Sequence, residues 1–200
     1  MTRPIGPDLS TWFHEQHRAP LPTKDRLIRA AAHMFRRYGY NGVGLNDVLE
    51  AAKAPKGSLY HHFPNGKSDL AVAAATWASD GMLRTMAASF ENAESFEAGF
   101  TTLCHKLAKL FDVSGQSDGC PVSGALFDGP ENEAFRKTTD YIFEGWISEA
   151  EHYAIRFGYT PEEARKKAEL FFILIQGGWT MARAKGSPDI LRRLPEQLAA

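Results

Sequence analysis

Three runs in this 200-residue chain have residue types and spacing that chemistry could use. The first, Gly115-Gln116-Ser117-Asp118-Gly119, has the spacing of a nucleophile elbow, where a serine is strained outward between a strand and a helix. Here it follows an amphipathic segment of helical period, so a loop is the expected structure. An all-helical hydrolase built on Ser117 would lack a plausible base and orienting acid, and no catalytic residue is expected. The second run, Gly66-Lys67-Ser68, ends like a phosphate-binding loop, but position 61 holds His where the first glycine should stand. The third gathers Lys56, Ser58, Tyr60, His61 and Lys67, basic and hydroxyl-bearing side chains of the kind that meet a phosphate backbone, with Gly57, which has no Cβ, among them. His61-His62 is not read as a metal site, because neighbours on a helix point to different sides and no third ligand is suitably spaced. Neither a metal nor a cofactor is expected.

The charge distribution favours the third run. The whole chain carries a formal net charge of only -1, but residues 23–70 hold eight Lys or Arg against four Asp or Glu, and residues 71–200 hold thirteen against eighteen. A basic front on an acidic body is the asymmetry expected when only the front meets phosphate. Hydrophobic residues at 44% and charged residues at 24% exclude a globally disordered chain. Cys104 and Cys120 stand sixteen positions apart without a CxxC pair, which reads as reduced thiols. The longest strongly apolar run, Leu170 to Ile175, is too short to span a bilayer, and no charged-then-apolar leader is present. A cytoplasmic protein with no membrane partner is the expectation.

These residues need elements to position them, and the hydrophobic period supplies helices throughout. Residues 1–22, with four prolines, read as a flexible arm. Thr23 is a plausible N-cap for a helix whose stripe runs Leu27, Ala30, Ala31, Met34, Phe35 and Tyr38, ended by Gly39. A short second helix carries Leu45, Val48, Leu49 and Ala52, and Pro55 sits at the first position of a third. Long segments follow from Lys67 to Phe90 and through Phe96–Phe111. Residues 114–119 form a loop, a short helix can follow Pro121, and a long helix spans 132–157. Thr160-Pro161-Glu162-Glu163 is a strong helix start, and Ser187-Pro188-Asp189 opens a last helix, short or kinked near Leu191 because of Pro195. The fold class is all-α, with about nine helices.

Two short helices joined by a tight turn and packed on a longer one make a helix-turn-helix, whose third helix is free to enter a major groove. The run Gly39-Tyr40, Asp47-Val48, Lys56-Gly57-Ser58-Leu59-Tyr60-His61-His62-Phe63, Lys67 and Leu70 resembles the N-terminal signature of the TetR family of transcriptional regulators over residues 24–70. Phe63-Pro64-Asn65-Gly66-Lys67 and Gly119-Cys120-Pro121-Val122 resemble its lincomycin-resistance branch. The resemblance implies a DNA-binding domain over 23–66 and a ligand-binding and dimerisation domain over 67–200. It further implies a homodimeric repressor on a pseudo-palindromic double-stranded operator, released by a small aromatic or lipophilic effector. A DNA-binding factor without a small-molecule inducer is the alternative. The DNA-contacting residues would be Gly44, Leu45, Asn46, Lys56, Gly57, Ser58, Tyr60, His61 and Lys67, with Leu59 and Phe63 holding the helices together.

Two positions depart from the family pattern. Lys53 stands where the turn usually has glycine, so that turn either differs or is strained, and Gly44 stands where a hydroxyl is usual. In the body, Phe100, Cys104, Leu107, Phe111, Phe127, Trp146 and Gln176 are candidate effector contacts. A wide apolar stripe on the helix 161–185 makes Phe171, Ile175, Gly178, Trp179 and Ala182, with Leu191 beyond it, candidate dimer contacts.

Overall fold

The computed structural model describes residues 21–116, 118–127 and 132–198. Most of the arm expected over 1–22, and Ser117, lie outside the described residues. Nine α-helices and no strand occur among the described residues: α1 Thr23–Tyr38, α2 Leu45–Ala51, α3 Lys56–His62, α4 Lys67–Phe90, α5 Phe96–Val113, α6 Pro121–Leu126, α7 Glu133–Arg156, α8 Pro161–Lys185 and α9 Asp189–Leu198. None of these helices is long and apolar enough to cross a membrane. The chain divides into two compact units, with the division falling inside α4 and α7. One runs up to Asp80 and includes Gly119–Ile142; the other holds Gly81–Asp118 and the residues from Phe143 onward.

In the first unit, Leu27, Ala31 and Phe35 recur every fourth residue of α1 and are fully buried. Val48, Leu49, Leu59 and Phe63 close over them from α2 and α3. Helices of seven residues are not stable alone, so burial on α1 is what keeps α2 and α3 folded. The six-residue α6 packs on α1 as well: Gly119 donates its N–H to the Arg36 carbonyl at 2.9 Å. A Cβ on Gly124 would sit 3.0 Å from the Phe35 carbonyl oxygen, so a larger residue would force the two backbones apart by a few tenths of an ångström.

The second unit is built on rings. Phe90 lies flat on Tyr153 with centroids 4.4 Å apart, Phe96 is 5.4 Å from Phe90, and Phe100 is 4.8 Å from Phe171. Burial and the hydrogen bond it donates to Glu149 push the Tyr153 hydroxyl up, so it stays neutral. The α9 residues Leu191, Leu194 and Leu198 are buried, and α9 packs on α5 and α8. It is ten residues long and stays helical through Pro195, because that buried leucine face holds it in place.

Helix starts fall within one residue of expectation. Thr23 is the first residue of α1, not its cap, and its hydroxyl accepts from Arg26 instead. Pro55 is the cap of α3 and not its first residue. Thr160 and Glu163 close the expected capping box on α8. The ends are more informative. Four helices finish in the same double hydrogen bond, in which the two residues after the cap donate back to the last turn. In α5, α7 and α8 the residue that must turn left-handed is Gly115, Gly158 or Gly186, at φ 80°, 94° and 60°. In α2, Lys53 donates to Glu50 and Ala54 to Leu49, and the left-handed residue is Lys53 itself, at φ 49°. The turn keeps the geometry that glycine would adopt, and the lysine carries a strain of roughly 1–2 kcal/mol.

Replacing Lys53 by Gly relieves that strain at the expense of about 0.5–1 kcal/mol of backbone entropy. Lys53→Gly should therefore raise the melting temperature by roughly 1–4 °C; an unchanged or lower value would mean the turn is relaxed. Gly99→Ala should do the opposite. Helix propensity favours alanine by about 1 kcal/mol, but its Cβ would fall 2.3 Å from ring carbons of the enclosed Phe90. Overpacking of that kind costs about 1–3 kcal/mol, so thermal melting should show destabilisation despite the better helix former.

Candidate nucleic-acid interface

The helix-turn-helix is positioned by one side chain of α1. Arg26 donates from Nε to the Ala52 carbonyl at 2.9 Å, from Nη2 to the Lys53 carbonyl at 3.3 Å, and from Nη1 to the Leu21 carbonyl at 2.7 Å. A guanidinium on the last carbonyls of α2 satisfies acceptors that no helix bond reaches and opposes the negative end of the helix dipole. It also ties the turn that precedes α3 to the helix behind it.

Leu59 points into the core, which turns Lys56, Gly57, Tyr60 and His61 outward. The pairs Lys56 and Tyr60, Gly57 and Tyr60, and Gly57 and His61 are three or four residues apart, so they are neighbours on the exposed side of α3. A Cβ on Gly57 would meet no atom within 4 Å, so that point of the face is open. Ser58 is half-buried, and its hydroxyl donates to the Pro55 carbonyl at 2.6 Å. Tyr60 is held from below: Gly66, at φ 64°, leaves room for the ring edge, which a Cβ there would meet at 3.4 Å. The rest of the tyrosine is exposed.

Two expected contacts sit differently. The Gly44 N–H donates to Asp47 Oδ2 at 3.2 Å, so this backbone donor is already engaged. Because Gly44 has no hydroxyl to return the bond, only half a capping box forms. Asp47 three residues beyond Gly44 was the sequence signal for it. The Lys67 ammonium lies 4.3 Å from the Tyr40 ring centroid, on the side of a ring stacked on Phe35 and edge-on to Phe135. Leu45 is half-buried and Asn46 is exposed. The Arg26 grip was not foreseen, since nothing in the period of α1 distinguishes a solvated arginine from one that reaches carbonyls 26 residues away.

The body residues are packed, not presented. Phe100, Cys104 and Phe111 have no exposed surface, Leu107 and Trp146 have almost none, and Gln176 is half-buried. Phe111 stands edge-on to Trp179 at 5.5 Å, and Trp146 is 5.4 Å from Phe143. Burial pushes the Cys104 thiol up to about 12, which keeps it protonated and unreactive. Phe127 belongs to the other unit and is 63% exposed. An apolar period marks enclosure and cannot tell a cavity wall from a filled core.

The six dimer candidates are enclosed in the same way. Phe171, Ile175, Gly178, Trp179, Ala182 and Leu191 are all buried within the single chain. Gly178 allows close approach to α9 of its own chain, where a Cβ would fall 2.7 Å from Leu194. Trp179 donates its indole N–H to the Asp118 carbonyl at 2.9 Å. The free side of α8 is a second stripe, Leu170, Ile173, Gly177, Met181 and Ala184, all exposed. Ahead of Gly115–Gly119 stands α5, where a strained serine turn needs a strand. No cluster of three His, Cys, Asp or Glu is placed for a metal among the described residues.

Comparison with known proteins agrees with this architecture. Residues 27–74 match the profile of the bacterial regulatory proteins of the tetR family, and residues 97–197 match the LmrA/YxaF-like C-terminal domain of transcriptional regulators. The chain is 28% identical over 178 residues to the HTH-type transcriptional regulator YxaF of Bacillus subtilis, covering 88% of this chain and 93% of that one. It is 27% identical over 183 residues to the HTH-type transcriptional regulator LmrA of the same organism, covering 86% and 97%. Among solved structures, the regulatory protein TetR from Rhodobacter sphaeroides superposes with a TM-score of 0.75 at 23% identity, covering 88% of this chain and 96% of the other. The TetR family regulator CifR, solved as a cysteine mutant with 26-base-pair operator DNA, superposes at 0.73 with 21% identity, covering 92% and 97%. The outward face of α3, the turn that carries it and the two matched profiles lead to one conclusion: this chain is a DNA-binding transcriptional regulator and belongs to the TetR family, with an LmrA/YxaF-like C-terminal domain.

Proposed function

We propose that the chain is a cytoplasmic repressor that holds a pseudo-palindromic operator as a homodimer and lets go when a small lipophilic compound binds. In this reading residues 23–66 are the DNA-binding head, behind an arm of residues 1–22, and residues 67–200 are the effector-binding and dimerisation body. The observation that carries it is the open face of α3, where Lys56, Gly57, Tyr60 and His61 stand together outside a closed core. Lys56 and Ser58, at the first turn, are placed for base edges as well as phosphates. Asn46, Tyr60, His61 and Lys67 are phosphate contacts, and Lys67 reaches its phosphate by leaving the Tyr40 ring. Gly44 and Leu45 bring the start of α2 close to the backbone.

The effector would be a neutral or weakly acidic ring compound, held by apolar contact among Phe100, Leu107, Phe111 and Trp146, with Gln176 able to hydrogen-bond. Those side chains are enclosed, with Phe100 against Phe171, Phe111 against Trp179 and Trp146 beside Phe143, so entry must displace packed neighbours. Binding and rearrangement are then a single event. Such a ligand shifts the protein only by its preference for the state that cannot hold DNA. The continuous helix α4, which begins in one unit and ends in the other, is the connector.

To test this, the wild-type protein selects a duplex from a random-sequence pool, and binding is followed against salt. Tyr60→Phe and Lys67→Ala should weaken binding while leaving the circular dichroism spectrum unchanged. Lys67→Ala should lower the slope of log K against log salt by about 0.9. Planar aromatic compounds added to the complex should release the duplex. Equal slopes would remove the Lys67 contact, and a panel that binds without release would leave a DNA-binding factor that takes no inducer.

The dimer rests on the outer stripe of α8. An exposed Leu170, Ile173 and Met181 with Gly177 between them form the seam two copies would bury about a two-fold axis. Ile173→Asp buries an unpaired charge there twice over. Light scattering at micromolar concentration should give twice the monomer mass for the wild type and a shift toward monomer for the variant; a monomeric wild type sinks the proposal.

A further inference from the structure

Lys53 has an energetic cost that its surroundings do not explain. It occupies the left-handed position at the end of α2, where the ends of α5, α7 and α8 have glycine. Its side chain is exposed, and its ammonium has no hydrogen-bond or ion-pair partner among the described residues. A structural role would be to face the carbonyl end of α2, since cations are favourable at a helix C-terminus. Arg26 already fills that role, on the carbonyls of Ala52 and of Lys53 itself.

Its position relative to α3 suggests what the charge serves. Lys53 precedes Lys56 by three residues, so their Cα atoms lie within about 10–11 Å of each other. A major groove is about 12 Å wide. If the first turn of α3 is inserted, a cation rooted that close stands at the wall of the groove, where the phosphates are. Arg26 also fixes the turn from behind, so the lysine starts from a rigid point and little backbone freedom is lost when it makes a contact. Lysine suits the task as a point charge on a flexible stem.

We propose that Lys53 is a further phosphate-contacting residue of the DNA interface, and that the strained turn is kept for its charge. This rests on α3 being the DNA-reading helix. The contact is to the backbone and independent of sequence.

The experiment uses the duplex selected by the wild type, with affinity measured across a potassium chloride series for wild type, Lys53→Gly, Lys53→Asn and Lys53→Arg. Asparagine tolerates the left-handed region without a charge, and arginine keeps the charge at the same strain. The salt slope should fall by about 0.9 in the glycine and asparagine variants and stay at the wild-type value in the arginine variant. At low salt the two uncharged variants should bind more weakly, though the glycine variant melts higher. That pairing of better folding with weaker binding is one that a purely structural lysine would not give. Wild-type slopes in both uncharged variants would overturn the proposal while leaving α3 as the reader. Failure of the wild type to select any duplex would overturn the reading it rests on, and the proposal with it.

Discussion

The helix-turn-helix depends on how α1 holds it, by an apolar stripe and by one guanidinium at the turn. Two helices of seven residues bury few side chains each, and the turn between them has backbone carbonyls that no intrahelical donor can reach. Arg26 supplies those donors from α1, and by also holding Leu21 it anchors the entry to α1 at the same point. Hydrogen bonds from a charged donor are worth about 1.5–3 kcal/mol each, comparable to the burial of a leucine or phenylalanine side chain, at about 1.5–3 kcal/mol. The orientation of α3 is therefore set by polar contacts at its start and by Leu59 and Phe63 along its length. Its outer face is left with nothing to hold.

The helix-turn-helix is not a compact unit by itself in this chain. The compact unit that contains α1, α2 and α3 also contains Gly119–Ile142. The contact between α6 and α1 includes two main-chain approaches, the Gly119 N–H on the Arg36 carbonyl and Gly124 against the Phe35 carbonyl, beside the buried Val122, Ala125 and Leu126 of α6. Tyr40 extends the same seam, stacked on Phe35, edge-on to Phe135 of α7, with the Lys67 ammonium over its face. Sequence profiles divide the protein between residues 74 and 97, but the packing carries a piece of the later segment back onto the earlier one.

Much of this was legible in the residues because helices announce themselves by period. The stripe of α1, the proline and acids at the start of α8, and the spaced motif of α3 gave fold and family without further information. At Lys53, where the family pattern has glycine, the residues leave a different turn and a strained one both open, and the φ of 49° decides for the strained one. What the period could not convey is direction beyond the first layer. On α8 both sides are apolar, and the bulkier stripe, with Phe171, Ile175 and Trp179, turned out to face its own chain while Leu170, Ile173 and Met181 stayed outside. The larger side chains fill the intrachain core because α5 and α9 flank them; a helix wheel alone has no way to know that.

The same reasoning limits what a ring-rich segment says about a ligand. Phe100 and Phe111 are candidate contacts as aromatics on an amphipathic helix, yet each spends surface on another ring, Phe171 in one case and Trp179 in the other. A fully enclosed phenylalanine gains from every neighbour it touches, so a site formed there must replace those contacts with equally good ones. Under the proposed function, a flat aromatic ligand would do so and a compact polar one would not. The chemistry of the core thus restricts the class of compound that can open it. Where α6 lies on α1, the Gly119–Arg36 backbone hydrogen bond fixes the two segments, so separating them must break it.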